Sequence, residues 1–121
     1  MNKEQLKVDQ PLVSIITLNW NNLDLTLQFL ESCRKLTYIN FELLVCDMNS
    51  DIDPTETILA GNYPNTKVLK SPKNLGWGPG NNWGMKQARG EYYFVVNNDT
   101  EITSDLLEIL LQPLLKDKSI G

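Results

Sequence analysis

The sequence contains no histidine, and that absence excludes several kinds of catalytic site. Histidine is the commonest general base and completes the usual serine and cysteine triads, so those mechanisms are not available here. Only two cysteines occur, Cys33 and Cys46, and each lies in an apolar stretch. We therefore expect two buried, reduced thiols rather than a disulfide or a zinc site.

Long apolar runs and an excess of positive charge are also missing. No stretch approaches the roughly 18 apolar residues that cross a bilayer, and residues 1–10 lack the apolar run of a signal peptide. The formal net charge is −4. A nucleic-acid partner is therefore not expected, because nucleic-acid-binding domains usually present a basic face.

Two common nucleotide-binding signatures are absent as well. A dinucleotide-binding fold places G-x-G-x-x-G directly after its first strand, where this chain has NWNN at 19–22. No run matches the P-loop pattern G-x-x-x-x-G-K-[ST]. The glycine-rich stretch GWGPG at 76–80 fits neither spacing. By itself it indicates a turn in which Pro79 starts a helix.

Apolar segments with strand and helix periodicity alternate along the 121 residues, a length that suits one domain. The predicted strands are 12–18, 41–47, 66–71 (short, at an edge) and 92–97. The predicted helices run from Leu23 to Leu36, from Pro54 to Gly61, from Pro79 to Ala88 and from Ser104 onward, with Pro113 kinking or ending the last. This order predicts an α/β fold, a Rossmann-like three-layer sandwich in which helices cover both faces of a mainly parallel sheet.

Polar side chains follow every predicted strand. They occupy positions 19–22, 47–51, 71–80 and 97–100. Because the carboxyl ends of parallel strands meet at one edge of the sheet, where ligands bind, we expect these segments to converge on one crevice.

Three segments resemble the family-two glycosyltransferases of GT-A fold: VSIITLNWNN, FELLVCDMNS and KNLGWGPGNNWGMKQARGEYYFVVNNDTEI. The resemblance extends from about residue 12 to residue 121 and is most specific over 74–102. Residues 97–99 read N-N-D, a form that is common in the branch of this family that resembles rhamnosyltransferases.

The resemblance implies inverting transfer of a sugar from a nucleotide-diphosphate donor to a saccharide or lipid-linked acceptor. The donor is expected to be a UDP- or dTDP-sugar, with dTDP-rhamnose as one candidate. Since domains of this family continue well beyond this length, residues 1–121 are expected to be the nucleotide-binding half of an incomplete domain, truncated after the fourth helix. The general base is then expected beyond Gly121. A homodimer through an exposed sheet edge and a location in the cytoplasm or at the cytoplasmic face of a membrane are further expectations.

The resemblance also assigns roles to individual residues. Asp99 would bind a divalent metal, Mg²⁺ or Mn²⁺, which suits a hard oxygen ligand. Asn98 would hydrogen-bond the ribose, and Asp47 would accept the N3–H of a uracil or thymine ring. The other predicted nucleotide-binding residues are Thr17 and Asn19 beside the base and ribose, and Asn74, Gly76 and Asn81 in the loop over the base. Trp20, between Asn19 and Asn21, stacks or packs nearby.

Other interpretations of the same residues stay open from the sequence. In isolation, the segment 97–100 is a turn whose side chains cap backbone groups. Asp47 alone can start the turn that follows it. At the level of the whole chain, the alternative is a non-catalytic, flavodoxin-like module that binds a nucleotide or a partner. A sugar nucleotidyltransferase is disfavoured because its first loop is rich in glycine and arginine, unlike NWNN.

Overall fold

The computed structural model describes residues 10–116, and four strands alternate with four helices along that range. In chain order the elements are β1 Val13–Asn19, α1 Leu23–Cys33, β2 Phe41–Asp47, α2 Thr55–Ala60, β3 Thr66–Lys70, α3 Trp77–Gln87, β4 Tyr92–Val95 and α4 Leu106–Lys116. Each predicted element is present.

The four strands form one parallel sheet in the order β3-β2-β1-β4. Val13 of β1 lies opposite Phe41 on one side and Tyr92 on the other. The chain builds outward from β1 to β2 and β3, and then returns to place β4 on the free side of β1. The direction of winding therefore reverses between β1 and β4, and such a reversal opens a crevice at the carboxyl ends of the two strands.

Both faces of the sheet are covered, which confirms the three-layer prediction. Successive residues of a strand point to opposite faces. Ile15 accordingly packs in a cluster that includes Phe29 of α1, Ile58 of α2 and Leu107 of α4. Ile16 packs on the other face, with side chains of α3. All seven residues of β2 are buried, as expected of a strand in the middle of the sheet.

Helix α3 packs against the sheet with two of its glycines facing it. A Cβ atom on Gly80 would come within 2.9 Å of Leu18 Cδ1. On Gly84 it would come within 2.8 Å of Cys46 Sγ. Since real Cβ atoms do not approach other atoms so closely, the absence of side chains at these two positions sets the spacing between helix and sheet.

Helix α3 also begins earlier than predicted. Its first residue is Trp77, and Gly76 occupies the N-cap position with φ of +82°. Much of the supposed glycine-rich loop therefore forms the first turn of the helix. Pro79 is tolerated there because backbone N–H groups in the first turn have no intrahelical acceptor.

Other boundaries also differ from the prediction. Helix α1 ends at Cys33 rather than Leu36, and β4 ends at Val95, two residues early. Pro113 is predicted to kink or end the last helix, and the helix continues through it to Lys116, so the proline does not end it. Periodicity locates an element better than it locates the ends, where local turns replace regular hydrogen bonds.

Cys33 and Cys46 are free and buried, as the sequence predicts. Burial raises the pKa of each thiol to about 12, because the apolar surroundings disfavour the thiolate. Within residues 10–116, no helix is both long enough and apolar enough to cross a membrane.

Candidate functional site

A cleft of about 320 Å³ opens at the carboxyl ends of the strands, where the winding reverses. Residues from four separate parts of the chain meet in its walls: Leu18, Trp20 and Asn22 at the end of β1, Met48 after β2, Asn74, Gly76 and Trp77 at the start of α3, and Asn98 after β4. Three of the predicted nucleotide-binding residues, Asn74, Gly76 and Asn98, are therefore brought together.

The wall on the α3 side is shaped by a turn that only glycine adopts readily. Gly76 has a φ of +82°, in the left-handed region that L side chains rarely adopt. Its backbone N–H donates to the Asn74 side-chain Oδ1 at 3.0 Å, which closes an Asx turn. A Cβ on Gly78 would meet no atom within 4 Å, so the first turn of the helix is open toward solvent.

Two tryptophans on this cleft are exposed to solvent. The exposed fractions are 52% for Trp20 and 63% for Trp77. Trp77 is held across the cleft because its indole Nε1–H donates to Asn97 Oδ1 at 2.7 Å. Trp77 is not among the site residues predicted from the sequence. The available signal was a large aromatic residue directly after Gly76, at a position where an ordinary turn would not need one.

A second cleft, of about 360 Å³, lies on the other side of Asn98. Its lining includes Asp99, Thr100 and Glu101 from the segment after β4, together with residues of α1. Asp99 is exposed, and a turn in which the Thr100 N–H donates to the Asn97 carbonyl at 3.1 Å places it here. No group of three acidic, cysteine or histidine side chains suited to a metal occurs among the described residues.

Asp47 and Asn19 lie beneath the cleft rather than on its surface, and each is 1% exposed. Asp47 Oδ1 accepts from Asn19 Nδ2 at 2.9 Å and from the Ser50 hydroxyl at 2.6 Å. Asp47 Oδ2 accepts from the Ser50 backbone N–H at 3.0 Å. The carboxylate thus joins the ends of β1 and β2, and its predicted contact with a base stays a prediction.

Thr17 and Asn81 are also buried. Thr17 is 0% exposed, and its hydroxyl has no hydrogen-bond partner among residues 10–116. Asn81 is 4% exposed, and its side-chain Nδ2 donates to the Trp77 carbonyl at 2.9 Å. Asn81 therefore braces the first turn of α3 from behind, while the structure does not bring Thr17 to the cleft surface.

Hydrogen bonds also join the loop after β1 to the loop after β2, next to the cleft. The Asn21 backbone N–H donates to the Ser50 hydroxyl at 2.9 Å, and the Asp51 N–H donates to Asn21 Oδ1 at 2.7 Å. Asn21 has a φ of +50°, which asparagine adopts more readily than most residues. These bonds fix the NWNN loop and thereby the position of Trp20.

The parallel sheet and its winding reversal define a doubly wound α/β domain, and its structural neighbours are glycosyltransferases of GT-A fold. The fold is similar to a solved mannosyltransferase from Pyrobaculum calidifontis in complex with GDP-Man and Mn²⁺, with a TM-score of 0.76 at 21% identity, over 87% of this chain and 32% of that one. The chain belongs to glycosyl transferase family 2, whose model matches residues 14–121.

The names of two further relatives state an activity or a bound ligand. The chain is 29% identical over 91% of its length to the Escherichia coli UDP-Glc:alpha-D-GlcNAc-diphosphoundecaprenol beta-1,3-glucosyltransferase WfgD, of which it covers 44%. It is 28% identical to Staphylococcus aureus TarS 1-349 in complex with UDP-GlcNAc, with a TM-score of 0.75, over 86% of this chain and 31% of that one. Across the first five curated relatives, the matched region covers 12% to 45% of the relative's length.

Proposed function

We propose that this chain binds the nucleotide-diphosphate sugar donor of a glycosyltransferase, with UDP- and dTDP-sugars as the donor class. The observation that carries the proposal is the cleft at the winding reversal, where Asn74, Trp77 and Asn98 meet from separate elements. Ligands of open parallel sheets bind at such reversals. Membership of the family and the likeness to TarS with bound UDP-GlcNAc support the same donor class.

The base and ribose are assigned to the tryptophan-lined cleft. Exposed indole faces at Trp20 and Trp77 suit stacking of a flat base, a contact typically worth roughly 1–3 kcal/mol. Asn98 is assigned to a ribose hydroxyl. A base N3–H reaches Asp47 only if it takes the place of a present partner such as Ser50, because that carboxylate is 1% exposed. Asn74 and Gly76 then form the loop over the base, with Thr17, Asn19 and Asn81 supporting from beneath.

The end of β4 fits a weakly held divalent ion. Asp99 is an exposed carboxylate on the cleft that borders Asn98, and its oxygens suit Mg²⁺ or Mn²⁺. Because the described residues offer no group of three ligands, the diphosphate of the donor has to supply further oxygens. Bound there, such an ion neutralises charge on the departing diphosphate.

The proposed reaction is a direct displacement with inversion. A hydroxyl oxygen of the acceptor bonds to the anomeric carbon, and the bond from that carbon to the diphosphate breaks with its electron pair on the diphosphate. A general base takes the hydroxyl proton. Glu101 and Asp105 are exposed near the start of α4 and are not assigned that role. The residues described here hold and orient the donor, and the base is proposed to lie beyond Gly121.

The acceptor is proposed to be a saccharide or a lipid-linked saccharide, in polysaccharide biosynthesis. The name of WfgD, which states a diphosphoundecaprenol-linked acceptor and a UDP-Glc donor, supports this class. Rhamnosyl specificity, and a location in the cytoplasm or at the cytoplasmic face of a membrane, rest only on the sequence resemblance.

Isothermal titration calorimetry with UDP and dTDP, each with and without Mn²⁺, tests the donor site. We expect weak binding that strengthens by roughly ten-fold or more with Mn²⁺, since the ion held by Asp99 would neutralise charge on the diphosphate. The Asp99→Asn variant keeps the size of the side chain and removes its charge, so the Mn²⁺ enhancement should fall to less than about two-fold. Glu101→Gln is the matched control and should retain the enhancement.

Two results of this titration would contradict the proposal. Absence of binding to either nucleotide in the presence of Mn²⁺ would favour the flavodoxin-like module instead. If Mn²⁺ strengthens binding by Asp99→Asn as much as by the unmodified chain, the metal does not bind at the end of β4.

A further inference from the structure

A chain of hydrogen bonds runs beneath the cleft from Asp47 to Asn98. Asn98 Nδ2 donates to Thr26 Oγ1 at 2.9 Å, and the Thr26 hydroxyl donates to Asn19 Oδ1 at 2.6 Å. Asn19 Nδ2 in turn donates to Asp47 Oδ1 at 2.9 Å. The three bonds cross the carboxyl ends of β2 and β1, pass through α1 and reach the segment after β4. Thr26 is 0% exposed, so the connection lies away from solvent.

The direction of every bond follows from the charge at one end. A carboxylate such as Asp47 only accepts hydrogen bonds, so Asn19 has to present its NH₂ group to it and its carbonyl to Thr26. The carbonyl of Asn19 takes the single hydrogen of the Thr26 hydroxyl. The Thr26 oxygen can then only accept from Asn98, which has to present its own NH₂ group.

With the bonds in this direction, the carbonyl oxygen of Asn98 is the group available to a ligand in the cleft. The side chain of Asn98 is half-buried and lines both clefts at the end of β4. One N–H of its Nδ2 is donated to Thr26, so the amide turns its nitrogen toward α1 and leaves Oδ1, an acceptor, on the side away from Thr26. The asparagine therefore presents to a ligand what an aspartate would present, without the negative charge that would repel a diphosphate.

We propose that Thr26 is a positioning residue that fixes the amide of Asn98, so that Asn98 Oδ1 accepts a hydrogen bond from a ribose hydroxyl of the donor. The inference rests on the proposed function and adds to it the residue that sets the direction of this contact. Thr26 touches no ligand itself. We call the chain of hydrogen bonds Asp47–Asn19–Thr26–Asn98 the relay. Because the relay starts at Asp47, it also gives this buried carboxylate a role in donor binding that needs no contact with the base.

The variant Thr26→Val tests the relay because it keeps the shape of the side chain and removes the hydroxyl. The measurement is the calorimetric affinity for UDP, 2′-deoxy-UDP and 3′-deoxy-UDP with Mn²⁺. In the unmodified chain, loss of the contacted hydroxyl should weaken binding by roughly 3- to 10-fold, the usual range for one hydrogen bond. In Thr26→Val that discrimination should fall to less than about two-fold, and Thr26→Ser should restore it.

A general loss of stability would weaken all three nucleotides alike, so the ratio between them separates positioning from folding. An equal preference for the hydroxyl in Thr26→Val and in the unmodified chain would overturn the inference and leave the proposed function intact. Equal binding of all three nucleotides by the unmodified chain would overturn it in the same way. Absence of any nucleotide binding would overturn both.

A second measurement does not depend on whether the valine variant folds. In the unmodified protein without nucleotide, nuclear Overhauser effects should connect the side-chain NH₂ of Asn98 to the γ-methyl of Thr26. Their absence in the folded protein would overturn the proposed direction of the relay.

Discussion

At the scale of single residues, the cleft depends on side chains that are exposed to solvent but held in one orientation by hydrogen bonds. Trp77 has both properties. Most of its indole faces solvent, while its Nε1–H bond to Asn97 ties the start of α3 to the end of β4. An exposed ring contributes little apolar burial to folding, and two exposed tryptophans, Trp20 and Trp77, on one cleft suit ligand binding.

Replacing Trp77 by alanine should weaken UDP binding by about 5- to 50-fold, because the stacking surface for a base is lost. Trp77→Phe keeps a ring and loses only the bond to Asn97, so its effect should stay below about five-fold. Tyr93→Ala is the matched control, an aromatic residue 49% exposed that lies away from the cleft on β4. Unchanged UDP affinity in Trp77→Ala would show that Trp77 does not contact the nucleotide.

At the scale of elements, the glycines of helix α3 determine where this wall of the cleft lies. Gly80 and Gly84 face the sheet and allow the close approach, whereas Gly76 makes the left-handed turn that starts the helix. The glycines therefore serve two different purposes. Only their places in the folded helix distinguish these purposes, because the residues are chemically identical in the sequence.

The variant Gly84→Ala should destabilise the domain by about 1–2 kcal/mol. Its Cβ would come within 2.8 Å of Cys46 Sγ in the core, and such overpacking exceeds the gain in helix propensity of roughly 1 kcal/mol. Gly78→Ala is the control in the same helix, where a Cβ meets nothing within 4 Å. It should be neutral or slightly stabilising. Chemical denaturation followed by circular dichroism measures both, and a stabilised Gly84→Ala would show that α3 can move away from the sheet.

At the scale of the whole molecule, the sheet has an open edge at β4. Among the described residues, β4 pairs only with β1. The groove between β4 and α4 is lined by apolar side chains, and Tyr93 and Leu110 are substantially exposed there. An edge of this kind can pair with another chain.

We accordingly predict that the isolated chain dimerises through the β4 edge in a concentration-dependent way. Sedimentation equilibrium should show a mass above that of the monomer, and Tyr93→Lys should restore the monomer, because a charged side chain on an edge strand opposes pairing. Leu59→Lys is the control, since Leu59 is 53% exposed on α2, away from this edge. A strictly monomeric unmodified chain at high concentration would exclude this interface.

How far the sequence predicts the site can be judged from individual residues. Asn74, Gly76 and Asn98 were selected from the resemblance to the glycosyltransferase family, and the structure brings them to one cleft. Thr17 and Asp47 were selected on the same basis and lie beneath it. A strand pattern shows which side of a sheet a residue faces, but it does not show how many hydrogen bonds already engage its side chain.

The sequence by itself determined the alternating elements, the parallel α/β class and the family, because periodicity and short motifs are local properties of a chain. Tertiary structure alone decided that Trp77 crosses to Asn97 and that Thr26 links Asn19 to Asn98. Thr26 and Asn98 are separated by 72 positions in the chain. Contacts over such separations depend on the order of the strands and on the depth of each side chain, and neither quantity is encoded in the spacing of residues along one segment.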